Sequence, residues 1–340
     1  MGQMGPRFFF QSYQRSFVNP LRTARGSWAM REGFIVRVED GNAGVGYGEV
    51  APIPEFGTET IEPARACLQR LVEAPELADD AGELARLPCC AFAVSRALAS
   101  LQAGRASSGR DYKVAALLPA GRAAIPVASR KAQQGYHTFK WKIGVAPVEA
   151  EQAIFSQLAA GLPAGARLRL DANCGLSVAG LESWVRFLQA HRGRIEYLEQ
   201  PLRVGQEAAM ARCCDGTGVA IALDESLNGT DGARWLQAGA WSGPLVVKPA
   251  LAGDARGLLE RLRPVAAQVV LSSVFETQIG VENALQLADQ LPELNRAIGF
   301  DTFGAFADSL CTLQPAAAIR FDARRSFSPE TLWQQLLHTS

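Results

Sequence analysis

The chain has 340 residues, 34 basic and 34 acidic side chains, a formal net charge of zero and 48% hydrophobic residues. That length exceeds one ordinary small domain and fits a TIM-type barrel plus a modest second domain with a large core. A neutral balance with no basic stripe excludes a nucleic-acid partner, and no apolar run approaches the roughly 18 residues of a membrane span.

Residues 1–14 hold Arg7 and the run Phe8-Phe9-Phe10, without a long apolar stretch or a small-residue cleavage site. No signal peptide is expected, and the protein reads as cytoplasmic. Cysteines at 67, 89, 90, 174, 213, 214 and 311 are odd in number and form no C-x-x-C. They read as reduced, mostly buried thiols rather than as metal ligands or a disulfide framework. With histidine only at 137, 191 and 338, acid–base chemistry falls to lysines and carboxylates.

Residues 7–50 read as antiparallel strands, with 34–39 and 44–50 paired across a Gly/Asn turn. Gly44, Gly46 and Gly48 do not make a dinucleotide fingerprint, because Ala51-Pro52-Ile53-Pro54 cannot open the helix it requires. From Glu59 to about Gly104 the spacing is helical, completing an α+β domain over residues 1–105. The small, polar stretch Ala106-Ser107-Ser108-Gly109 marks a boundary.

Short apolar strands, each with a helical stretch behind it, then recur at 124–127, 138–142, 168–171, 197–199, 221–224, 245–248, 269–273 and 297–300. From Lys142 the strand-end polar residues fall at 171, 199, 224, 248 and 272, with gaps of 29, 28, 25, 24 and 24. This is a β/α repeat, and eight strands point to a closed barrel over residues 106–325. A helical segment at 326–340 is expected to pack back on the first domain.

Such a barrel carries its active site at the C-terminal ends of its strands. Lys140, Lys142, Asp171 with Asn173, Glu199, Asp224 with Glu225, Lys248, Ser272 and Ser273 stand there. Three carboxylates on consecutive strands, Asp171, Glu199 and Asp224, would repel one another without a cation, and hard oxygen ligands suit Mg²⁺. Lys140 and Lys142 share one strand face, whereas Trp141 points toward the helices. Lys248 approaches from across the ring.

Lys-Trp-Lys-Ile-Gly, Leu-Asp-Ala-Asn, Glu-Gln-Pro-Leu, Ala-Leu-Asp-Glu-Ser-Leu and Val-Val-Lys-Pro-Ala-Leu, in this order, resemble the enolase superfamily and its muconate-lactonising subgroup. Within it, three stretches resemble the o-succinylbenzoate synthase family, above all its cyanobacterial members. They are residues 20–28 with Arg31-Glu-Gly33, residues 48–60, and residues 272–280. Two positions depart from common patterns: Gln200 replaces a second acid, and Phe300 stands in Gly-Phe-Asp-Thr.

The resemblance implies a modified (β/α)7β barrel of α/β class with an N-terminal α+β capping domain. It implies Mg²⁺, with Mn²⁺ as a substitute, held by Asp171, Glu199 and Asp224. Its reaction is dehydration of 2-succinyl-6-hydroxy-2,4-cyclohexadiene-1-carboxylate to 2-succinylbenzoate, toward menaquinone or phylloquinone. Lys142 would be the base that returns its proton to the leaving hydroxide, Lys248 the opposing cation, and Lys140 a carboxylate holder that depresses Lys142. Arg25, Trp28, Phe56, Thr58, Asn173, Ser272 and Ser273 would bind the small carboxylate substrate. Two opposed lysines serve racemisation of N-succinylamino acids or epimerisation of dipeptides equally well, so only the pocket discriminates. A catalytically silent barrel used as a binding module is the remaining alternative, opposed by the intact set of strand-end charges.

Overall fold

The computed structural model describes residues 5–23, 26–41, 44–103, 109–229, 231–320 and 327–339. Arg25, Asn42 of the expected turn and residues 106–108 of the expected boundary lie outside them.

Three antiparallel strands open the chain: β1 (Arg7–Thr23), β2 (Gly26–Asp40) and β3 (Gly44–Val50), in the order β1-β2-β3. Helices α1 (Ile61–Glu73), α2 (Ala81–Leu84) and α3 (Pro88–Ala103) follow. The glycines of β3 gain their meaning here. A Cβ at Gly46 or Gly48 would collide with the carbonyl oxygens of Ala97 and Ala93, so bare backbone lets α3 lie directly on the sheet.

The barrel follows. After β4 (Asp111–Lys113) come β5 (Ala115–Leu118), α4 (Ala124–Gln133), β6 (Thr138–Lys142), α5 (Val148–Gly161), β7 (Arg167–Asp171) and α6 (Val178–Gln189). Next are β8 (Ile195–Glu199), α7 (Glu207–Cys214), β9 (Ile221–Ala222), β10 (Leu245–Val247), α8 (Ala255–Leu262), β11 (Val269–Leu271) and α9 (Gln278–Ala288). Strands β5 to β9 are parallel neighbours in chain order, and β10 pairs β11. Parallel bridges join Leu223 to Leu245, Ser272 to Gly299 and Ile298 to Val114, which closes the ring. The last gap is sewn by Ala115 N donating to Ile298 O at 2.9 Å.

Alternation along the strands sends Tyr197, Ala222, Val246 and Val270 into the ring, where they pack as one buried cluster. Buried Arg169 lies there too, its guanidinium carbon 5.0 Å from the Tyr197 ring centre. The chain ends with β12 (Ala318–Arg320), paired to β4, and α10 (Pro329–Thr339). Leu332, Trp333 and Leu336 of α10 pack with Tyr13, Ile35 and Tyr47 of the N-terminal sheet.

One expected strand is overturned. Residues 124–127 begin α4, and the first barrel strand is β5, twenty residues before β6 closes its register. Pro126 sits in the first turn of α4, where its missing N–H costs nothing, so Ala-Ile-Pro-Val is no barrier to a helix. None of the cysteines forms a disulfide; three are buried and four partly exposed.

Sheet and barrel are joined by a buried carboxylate. Glu49 of β3 accepts from Thr277 N and Gly280 N at the start of α9, from the Thr277 hydroxyl, and from Tyr13 OH at 2.6 Å. Glu49→Ala would strand these donors at about 1–3 kcal/mol for each buried group left unpaired. The expected result is a loss on the order of 3 kcal/mol, seen as a lower urea midpoint. An unchanged midpoint would show that the joint carries no stability.

Candidate active site

The C-terminal ends of the barrel strands open into a cavity of about 1280 Å³. Lys140, Lys142, Asp171, Asn173, Asp224 and Lys248 all line it. So do Ser272 and Ser273, while the N-terminal sheet and the turn at 54–56 contribute Trp28 and Phe56. Glu199 lies beneath, with no exposed surface. Thr58 is not among the lining residues; its Oγ1 accepts from Ile53 N at 2.8 Å and closes the turn that presents Phe56.

The three lysines have different company. Lys140 Nζ bridges Asp171 Oδ2 at 2.8 Å and Glu199 Oε1 at 2.7 Å. Burial would lower its pKa, but Asp171, Glu199 and Asp224 outweigh this and raise it well above the ordinary lysine value. Lys140 is a fixed ammonium. Lys248 Nζ pairs with Asp224 Oδ1 and lies 4.6 Å from the Phe56 ring centre, a cation–π contact. Among the described residues Lys142 makes neither an ion pair nor a side-chain hydrogen bond, so its amine faces the cavity uncommitted.

Glu199 and Glu225 are short of positive charge. Burial, with Asp171 and Asp224 nearby, pushes Glu199 up to about 8 despite Lys140. Burial, Asp224 and Asp171 likewise lift Glu225 to about 7. Glu199 Oε2 and Glu225 Oε2 are buried without a hydrogen-bond partner among the described residues. Among the described residues no three His, Cys, Asp or Glu side chains close on one cation-sized point. Ammonium groups take the carboxylate oxygens instead. An orphaned, buried carboxylate oxygen beside two more acids is nonetheless the donor set a hard divalent cation needs, so the residues present fit Mg²⁺.

Gln200 has a task that its sequence position concealed. Its Oε1 accepts from Asp224 N at 3.0 Å and from Ser226 N at 3.2 Å, while Nε2 donates to Ser226 Oγ at 2.8 Å and to Leu202 O at 3.1 Å. A carboxylate could not donate, so the amide is the group this junction requires. Glu225, placed at the strand end with Asp224 but given no role from sequence, accepts from Asn173 Nδ2 at 3.3 Å and lines the cavity. Only the chain pairing 52 residues apart reveals that contact.

Comparison with known proteins agrees with this geometry. Residues 123–318 match the family described as enolase C-terminal domain-like, and residues 19–101 match the MenC N-terminal domain. An o-succinylbenzoate synthase of Thermosynechococcus vestitus is 39% identical over 280 residues, covering 80% of this chain and 85% of that protein. One from Photorhabdus laumondii is 31% identical, covering 85% of this chain and 88% of its own. The crystal structure of o-succinylbenzoate synthase from Thermosynechococcus elongatus, complexed with Mg in the active site, superposes with TM-score 0.81 at 33% identity. It covers 98% of this chain and 100% of that one. An N-succinyl Arg/Lys racemase from Bacillus cereus reaches the same TM-score at 18% identity, over 97% of this chain and 98% of its own, a likeness of fold alone.

Proposed function

The chain belongs to the o-succinylbenzoate synthase family of the enolase superfamily, and from that premise we propose how its own residues share out the reaction. The reaction is dehydration of 2-succinyl-6-hydroxy-2,4-cyclohexadiene-1-carboxylate to 2-succinylbenzoate, a hydro-lyase step of menaquinone biosynthesis. Mg²⁺, with Mn²⁺ as a substitute, would be held by Asp171, Glu199 and Asp224, and would neutralise charge developing on the substrate's ring carboxylate.

The observation that carries the assignment is the unequal company of the lysines. Lys142, uncommitted, takes the proton from the ring carbon bearing the carboxylate. The electron pair forms the ring double bond and expels hydroxide from the neighbouring carbon, and Lys142 returns its proton so that water leaves. Lys248, pinned by Asp224 and Phe56, stays charged and faces the carboxylate oxygens as they gain charge. Lys140 keeps two carboxylates oriented. A lysine base with Mg²⁺ is the known pattern of this superfamily.

Trp28, Phe56, Asn173, Ser272 and Ser273 would contact substrate, with Arg25 joining them and Thr58 acting through the turn it closes. The domain limits proposed are 1–105 for the cap, 106–325 for the barrel and 326–340 for the terminal helix. A cytoplasmic setting accords with cysteines that form no disulfide. Among the described residues no helix is long and apolar enough to cross a membrane.

Purified enzyme given the cyclohexadiene carboxylate should generate the ultraviolet absorbance of an aromatic product. N-succinylamino acids, which the same lysines could racemise, should react slowly or not at all. Racemisation faster than dehydration by kcat/KM would reverse the assignment of substrate.

A further inference from the structure

The Arg31-Glu-Gly33 stretch is conspicuous in the sequence, and the dehydration chemistry gives it no task. Arg31 lies on β2, 5% exposed, in the seam between sheet and barrel. A buried guanidinium usually meets a carboxylate. Among the described residues, the hydrogen bonds of this one all go to main-chain carbonyls. Nε donates to Val274 O at 3.0 Å, Nη1 to Pro52 O and to Glu32 O, and Nη2 to Ala51 O.

Three of those carbonyls, of Ala51, Pro52 and Val274, lead to two separate walls of the cavity. Ala51 and Pro52 lead into the turn at 54–56, whose Phe56 ring faces Lys248. Val274 lies in the loop that supplies Ser272, Ser273 and Phe275 to the cavity. Phe275 is held there at φ +66°, a left-handed conformation that a bulky side chain rarely adopts. A planar fork with donors on three edges can grip both walls at once. A lysine ammonium, a compact point charge, cannot reproduce that span.

We propose that Arg31 is a positioning residue for substrate binding, fixing the Phe56 turn against the Ser272-to-Phe275 loop. This rests on the dehydratase reading and adds to it a specificity device outside the cavity itself. Loss of the fork leaves the proton-transfer lysine in place but lets the two walls drift. Binding therefore suffers more than turnover.

The test compares wild type, Arg31→Lys, Arg31→Met, Phe56→Leu and Arg31→Lys/Phe56→Leu by steady-state kinetics on the cyclohexadiene carboxylate, with thermal midpoints for each. A drift of about 1 Å in a site can cost on the order of a hundredfold. KM is expected to rise about tenfold in either Arg31 variant, with kcat falling less than about threefold. Phe56→Leu should raise KM comparably, and the double variant should be no worse than the poorer single one, because both changes break one relay. Arg31→Lys keeps the charge and carries the test if Arg31→Met does not fold. An unchanged KM in the folded Arg31 variants overturns the proposal, whether or not the thermal midpoint falls. So do single effects that multiply in the double variant. An inactive wild type would instead overturn the dehydratase reading.

Discussion

Lys142→Ala is expected to lower turnover by about 10⁴-fold or more, the larger of the losses at this site. General acid–base catalysis is typically worth roughly 10²–10⁴-fold, and in the proposed mechanism one amine serves both as the base and as the acid that releases water. Lys248→Ala removes only a fixed cation and should cost less. The arginine variants separate the roles further. Lys248→Arg keeps the charge beside Asp224 and Phe56, whereas the guanidinium of Lys142→Arg is too weak an acid to cycle a proton. Lys248→Arg should therefore retain more dehydratase activity. The reverse ranking would make Lys248 the base, and near-normal turnover in both would end the proton-abstraction mechanism.

Chelation should have an effect of comparable size. An α-proton next to a carboxylate is very weakly acidic, since its loss loads charge onto oxygens that already carry one. EDTA treatment is expected to abolish turnover, and Mg²⁺ or Mn²⁺ to restore it. Asp171→Asn, Glu199→Gln and Asp224→Asn should each lose most activity while circular dichroism remains that of the folded protein. The buried Glu199 is the sharpest case, because its Oε2 has no hydrogen-bond partner among the described residues and its pKa is pushed up to about 8 by burial and its acidic neighbours. Full activity in chelator-treated enzyme would sink the carboxylate assignments together.

Much of this was readable in one dimension where the physics is local. The period of two in Thr138–Lys142 placed Lys140 and Lys142 on one face, and both line the cavity with Trp141 fully buried behind them. The 24- to 29-residue rhythm from Lys142 to Ser272 follows the observed strand ends, because a strand, helix and two loops occupy about that length. Ala124–Val127 misled, since an apolar run with a proline is compatible with a strand and with a first helical turn alike. Val114 to Leu118, bounded by Pro119, was the better strand.

Long-range polar contacts left no periodic trace. Glu49 meets Thr277 across 228 positions, and Arg31 meets Val274 across 243. A charged residue in a strand reads as a solvated edge until its partner is known. Gln200 looked like a harmless exchange for an acid, and only the folded geometry shows its amide both accepting from Asp224 N and donating to Ser226.

The joint made by Glu49 bears on how substrate comes and goes. A carboxylate engaged by Thr277, Gly280 and Tyr13 on both sides of the seam cannot let go of one side without exposing charge and donors together. Separating sheet from barrel would therefore break all of these contacts at once. Substrate thus meets a cavity whose two contributors, the sheet with Trp28 and the barrel with its strand-end charges, are already joined.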